Sequence, residues 1–233
     1  MGTKLDAMDT KLDTTNTKRA LIVCPLVTQA ACARQATQTT TPYDVSIAVD
    51  GGAEWFYRQK ITPDFAVGDF DSAGTAVLDW LQASSAQIRQ VPQDKEYSDL
   101  ELALQICSQQ QLQSATILGA VGGRIDHQLC VLGTLLRSSV AELTLQDASQ
   151  SLRLLRAGQS LNLETAFFPD AISKTFSVIS LQEAVVTIAG ARWPLDQVTL
   201  KPLSSHGLSN EASNEMPTTV TVTKGSAFVI AIL

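Results

Sequence analysis

Phe65-Ala66-Val67-Gly68-Asp69-Phe70-Asp71-Ser72 is a short apolar run that ends in a glycine and two aspartates spaced two apart. The apolar part predicts a strand buried on both faces, as in a parallel sheet. In extended chain, residues two apart point the same way, so Asp69 and Asp71 project together while Phe70 packs opposite. Two carboxylates at the C-terminal end of a strand suit a hard, oxygen-preferring cation such as magnesium. A solvated, aspartate-rich turn is the plainer account of the same spacing.

Outward from this stretch the same grammar repeats. Apolar runs of strand type occupy residues 20–24, 46–49, 88–91, 115–118 and 143–145. Helix-like stretches at 53–60, 75–84, 99–110 and 127–138 lie between them. Alternating strands and helices predict a Rossmann-like α/β unit, a parallel sheet with helices on both faces, over residues 19–148. In such sheets ligands bind beyond the carboxyl ends of the strands.

After about residue 148 the pattern changes to short strands alone, at 152–155, 176–179, 185–188 and 220–222. Lys224-Gly225 predicts a hairpin turn into Phe228-Val229-Ile230. Residues 149–233 are therefore expected to form an all-β sandwich. Residues 1–18 are polar, carry a near-repeat (Thr3-Lys4-Leu5-Asp6 and Thr10-Lys11-Leu12-Asp13) and are expected to be a flexible tail.

Composition narrows the function. The 233 residues are 45% hydrophobic and 17% charged, enough for a real core and against global disorder. A net charge of -6 disfavours nucleic acid as a partner. Four cysteines with no C-x-x-C pair read as free thiols in a reducing compartment. With no apolar run of membrane-spanning length and no apolar secretion core, the expected location is the cytoplasm, with no membrane partner.

Three further segments fall beyond predicted strands. Asp94-Lys95-Glu96-Tyr97-Ser98-Asp99-Leu100-Glu101 contains a capping box from Ser98 to Glu101, so a helix starts there. Asp99 then sits in its first turn, where it complements the helix dipole, and Lys95 is placed to reach a phosphate. Gly119-Ala120-Val121-Gly122-Gly123-Arg124-Ile125-Asp126-His127 combines a glycine loop with a helix start, a cradle for anions. Arg124 can fork onto phosphate oxygens, Asp126 is a good N-cap, and His127 reads as structural. Asp50, followed by Gly51-Gly52 at the end of the second strand, joins the same edge. Carboxylates, cations and backbone amides along one edge are what phosphoryl chemistry requires. In the β half, Ser205 to Glu211 reads as an ordinary polar loop.

Taken together, these strings resemble the thiamine pyrophosphokinase family. They are Asp50-Gly51-Gly52-Ala53, Gly68-Asp69-Phe70-Asp71-Ser72, Asp94-Lys95 with Ser98-Asp99-Leu100-Glu101, Gly123-Arg124-Ile125-Asp126-His127 and Gly207-Leu208-Ser209-Asn210-Glu211. The resemblance implies a magnesium-dependent enzyme that moves the pyrophosphoryl group of ATP onto thiamine, acting as a homodimer with active sites at the interface. It implies that Asp69, Asp71 and Asp99 hold magnesium, and that Asp50, Lys95 and Arg124 meet the ATP phosphates. The same resemblance implies that Asp126 lies near the reacting hydroxyl and that Ser209 and Asn210 contact thiamine, and it gives Phe228 as the match for a stacking aromatic, with a core position in the last strand as its other reading. The turn after the first strand, Cys24-Pro25-Leu26-Val27, departs from the glycine- or asparagine-containing family pattern. A pyrophosphokinase acting on a hydroxymethylpterin, a non-catalytic thiamine or nucleotide binder, and a metal-dependent phosphohydrolase are the rival readings.

Overall fold

A computed structural model of the chain describes residues 17–32, 42–71, 73–91, 96–167 and 174–233. Residues 1–16 of the expected tail, Ser72, Asp94 and Lys95 lie outside these residues. Lys18, at the end of that tail, is held by Gln113, its amide donating to Gln113 Oε1 at 2.9 Å and its carbonyl accepting from the Gln113 amide at 3.0 Å. The fold is mixed α/β around one large sheet. Strands β1 (Arg19–Val23), β2 (Val45–Val49), β3 (Phe65–Gly68), β4 (Gln87–Gln90), β5 (Ser114–Leu118) and β6 (Glu142–Gln146) run parallel in the order β6-β5-β1-β2-β3-β4. The inner strands are apolar on both faces because both are covered. β4 is exposed at all four residues, a short polar edge that discourages further pairing.

The sheet does not stop at residue 148. β7 (Gln150–Arg156) pairs antiparallel with β6 across a tight turn, in which Asp147 Oδ1 accepts from the amides of Ser149 at 2.7 Å and Gln150 at 2.9 Å. β14 (Ser226–Ile232), β9 (Thr175–Ile179) and β12 (Asn210–Glu211) then extend it, giving ten strands. A second sheet holds β11 (Leu195–Leu200), β10 (Ala184–Ala189), β13 (Thr219–Lys224) and β8 (Ser160–Asn162). Lys224-Gly225 is not a hairpin turn. β13 has both edges taken by β10 and β8, so the turn passes the chain from the second sheet to β14 in the first.

Strand alternation decides which core each residue joins. One face of the large sheet carries Ile22, Ile47, Ile117, Leu145, Leu154 and Phe228 under helices α3 (Asp99–Gln109) and α4 (Ile125–Arg137). On the other face, Val23, Ala48 and Ala66 meet Phe56 of α1 (Gly52–Gln59) and Leu81 of α2 (Thr75–Ala83). Further along that face Phe176, Val178 and Val229 pack on Val186, Ile188 and Val222 of the second sheet. A short helix, α5 (Leu163–Ala166), adds Leu163 to this last core. Arg156 ties the halves together: its guanidinium donates to the carbonyls of Ser138 at 2.7 Å and Ala141 at 3.1 Å, just past the end of α4. Among the described residues no helix is long and apolar enough to cross a membrane.

Candidate active site

The site is built on the C-terminal edge of the parallel strands. β2 is followed directly by Asp50, whose backbone turns to φ 44° while its amide still donates to the Val67 carbonyl at 2.8 Å. α1 can begin two residues later because Gly52 has no side chain: a Cβ there would lie 2.0 Å from the Val23 carbonyl oxygen. Two residues past the end of β3, Phe70 adopts φ 57° and is 2% exposed, anchored among Val23, Phe56 and Leu81. That anchor leaves its neighbours facing outward, and the Asp71 amide donates to Asp69 Oδ1 at 3.2 Å. The carboxylates of Asp50, Asp69 and Asp71 converge, each offering an oxygen within 4.8 Å of the others. Asp50 and Asp69 are half-buried and Asp71 is exposed.

This trio differs in one member from the sequence expectation. Asp50 stands in it, and Asp99 does not. Asp99 opens α3, where Ser98 Oγ caps the helix by accepting from the Glu101 amide at 3.2 Å. Glu101 does not reach back to the cap, because its carboxylate turns to Arg137 at 3.7 Å. Asp99 is felt at the end of β1, where burial first and the Asp99 charge second push the Cys24 thiol up to about 12.

The glycine loop after β5 is set by close packing. Gly119 sits at φ 70°, its carbonyl accepts from the Leu26 amide at 3.0 Å, and a Cβ would fall 2.1 Å from the Val27 nitrogen. α4 starts at Ile125, so Asp126 is its second residue and not its N-cap; Arg124 occupies the cap position, and its side chain makes no capping bond to the helix backbone. Arg124 instead grips Asp126, Nη2 to Oδ2 at 2.5 Å and Nε to Oδ1 at 3.1 Å, and the His127 amide adds a bond at 2.9 Å. Those bonds, Arg124 first, hold the Asp126 carboxyl down at about 2.

The second group of expected residues lies elsewhere on the same edge. Ser209, at φ 56°, donates its amide to Ser177 Oγ at 3.0 Å. Asn210 is 4% exposed and its side chain bridges Trp193: Nδ2 donates to the Trp193 carbonyl at 2.7 Å and Oδ1 accepts from the Trp193 amide at 3.1 Å. Trp193 itself is 50% exposed. Phe228 is not available as a stacking surface. It is 1% exposed, because β14 lies between β7 and β9 and turns Phe228 into the core beneath α3 and α4. The exposed aromatic beside Asn210 is Trp193, which sequence reasoning missed; a tryptophan followed by proline, just past the strand-like run at 185–188, was the available signal.

Register places both groups on one edge. Asn210 is opposite Phe176, Phe176 opposite Ala231, Ala231 opposite Ser151, and Ser151 opposite Gln146 at the C-terminal end of β6. The aspartate trio is near the other end of that edge. β12 and β3 are eight strand steps apart, about 38 Å along the sheet at ~4.8 Å per step.

Two family models match the chain: "Thiamin pyrophosphokinase, catalytic domain" over residues 36–146 and "Thiamin pyrophosphokinase, vitamin B1 binding domain" over residues 167–226. A curated relative, thiamin pyrophosphokinase 1 of Caenorhabditis elegans, is 24% identical over 197 residues, covering 79% of this chain and 76% of its own. The thiamine pyrophosphokinase of Bacillus subtilis is 25% identical over 176 residues, 74% of this chain and 80% of its own. Among solved structures, that of thiamine pyrophosphokinase from Bacillus subtilis has a TM-score of 0.76 at 24% identity, covering 92% of this chain and 99% of the other. That of thiamin pyrophosphokinase from Candida albicans has a TM-score of 0.73 at 16% identity, covering 92% and 90%. These likenesses are of fold.

Proposed function

Because the chain belongs to the thiamin pyrophosphokinase family, we propose that it transfers the pyrophosphoryl group of ATP to the hydroxyl of thiamine, giving thiamine diphosphate and AMP. The observation that carries this reading on the chain's own residues is the aspartate trio, Asp50, Asp69 and Asp71, on the strand edge that also bears the Gly119–Arg124 loop. Three carboxylates with converging oxygens, joined by no nitrogen or sulfur donor among the described residues, fit a hard divalent cation such as magnesium. Those three would hold it; Asp99 contributes charge from the start of α3. A bound magnesium ion neutralises phosphate oxygens, so that ATP can approach an acidic edge.

The remaining work falls to the chain's own groups. The glycine loop and the α4 N-terminus offer amides to the phosphates, and Arg124 exchanges Asp126 for a phosphate oxygen. Lys95, outside the described residues, is assigned the same role by its place before Ser98. The thiamine oxygen forms a bond to the β-phosphorus, the bond from that phosphorus to the α-phosphate oxygen breaks, and AMP leaves with the electron pair. Asp126, released from Arg124, orients the hydroxyl and takes its proton. An alcohol is a poor acid, so positioning and charge neutralisation dominate.

Thiamine is assigned to Ser209, Asn210 and the face of Trp193. About 38 Å along the sheet separates them from the aspartates of the same chain, far beyond the reach of a hydroxyethyl group. We therefore infer a homodimer in which one copy supplies the aspartate edge and its partner supplies the Trp193 edge. Exposed apolar side chains flank both edges, Ile125 and Leu129 at the first and Leu203 and Leu208 at the second. The free cysteines fit a reducing, cytoplasmic location.

The deciding experiment is a chromatographic product assay with ATP, magnesium and thiamine. Equal amounts of thiamine diphosphate and AMP are expected. ADP or free phosphate in place of AMP, or no thiamine product, overturns the reading. Mixing Asp69→Asn with Trp193→Ala tests the shared site: two inactive variants should regain about a quarter of wild-type activity through mixed dimers, and no recovery excludes it.

A further inference from the structure

The Trp193 indole already carries a cation. The guanidinium of Arg192 lies over the ring, its central carbon 4.7 Å from the centroid, and Arg192 Nη1 is 2.9 Å from Glu211 Oε2. The placement is set by backbone: the Arg192 amide donates to the Glu211 carbonyl at 2.9 Å, and Ala191 bridges Ala212. A cleft of about 810 Å³ opens beside them, bordered by Arg192, Pro194, Asp196 and Glu211.

An aromatic face beside a carboxylate is a recognition pair for a cation. Here the pair is filled by a side chain that can leave it, since the Arg192 and Glu211 side chains are 61% and 48% exposed and water can receive the guanidinium. The thiazolium ring of thiamine is planar, aromatic and permanently charged, and it covers more of an indole than a guanidinium does. We propose that Arg192 is a displaceable stand-in for the thiazolium, and that Glu211 selects the positive charge of the substrate. This rests on the reading that the chain takes thiamine. When the ligand enters, Arg192 gives up both the ring and the carboxylate, and Glu211 faces the ligand's charge. Removing Arg192 and removing the Glu211 charge must then have opposite effects.

Calorimetric titration of the full chain with thiamine, and with an isosteric analogue whose five-membered ring is neutral, tests this. Glu211→Gln should weaken thiamine about tenfold and leave the neutral analogue unchanged, while Arg192→Ala should tighten thiamine by about a few-fold. If Glu211→Gln weakens both ligands equally, or if Arg192→Ala weakens thiamine as Glu211→Gln does, the pair only shapes the loop and the inference is wrong. Wild-type protein that binds neither ligand would sink the thiamine reading itself, an outcome distinct from either.

Discussion

Asn210 holds both backbone polar groups of Trp193, donating to its carbonyl at 2.7 Å and accepting from its amide at 3.1 Å. The same Oδ1 accepts from the Glu211 amide at 2.8 Å. One buried amide side chain thus sets the position of a half-exposed indole 17 residues away in sequence. Asn210→Ala leaves these groups without their partner, at a cost of about 1–3 kcal/mol in stability. It should raise the KM for thiamine about tenfold, with nucleotide affinity unchanged. Parallel thiamine kinetics and nucleotide titration check this; equal loss of both would place Asn210 in general folding only.

Phe228 should behave as core. Phe228→Ala is expected to cost about 3–5 kcal/mol in chemical denaturation, and Phe228→Leu to recover most of it. The folded Leu variant should keep the wild-type KM for thiamine. A raised KM in a stable Leu variant would return Phe228 to the substrate site.

The carboxylates should divide into two classes. Asp50→Asn, Asp69→Asn and Asp71→Asn each remove a donor from the converging set and should lower kcat by roughly a hundredfold at fixed magnesium, with partial recovery at higher magnesium. Asp99→Asn should show a smaller loss. A magnesium titration of all four variants decides the matter, and full activity of Asp69→Asn would remove the metal assignment.

Asp126 should stay ionised at every physiological pH in the free protein. Arg124 and the His127 amide favour its charged form, so its pKa is depressed to about 2. The contribution of this pair is in place above the ordinary carboxylate value and is lost as pH falls through about 2. Carbon NMR of the carboxyl should show that titration, and Arg124→Ala should raise it toward the ordinary range. An acid limb of activity above pH 5 would then belong to another group.

The sequence alone determined what depends on neighbours along the chain. Alternating apolar runs and helical stretches predicted the strands and helices of the parallel part, because periodicity is local. Ser98 caps α3 as its spacing to Glu101 implied, and Phe70 is buried between Asp69 and Asp71 as its apolar character implied, although it turns at φ 57° instead of continuing the extended chain. Tertiary structure alone decided what depends on pairing across long separations. Asp50 joins Asp69 and Asp71 because β2 and β3 are neighbours in register, Ala48 against Ala66. Phe228 faces the core because β7 and β9 flank its strand, and β13 and β14 part company because β10 and β8 already fill both edges of β13. The sheet runs on past residue 148 because β7 pairs with β6. Trp193 meets Asn210 through buried side-chain hydrogen bonds that no local pattern announces. A strand's own residues state that it will pair, but its partner and register are set by the free energy of the whole core, which no short stretch contains.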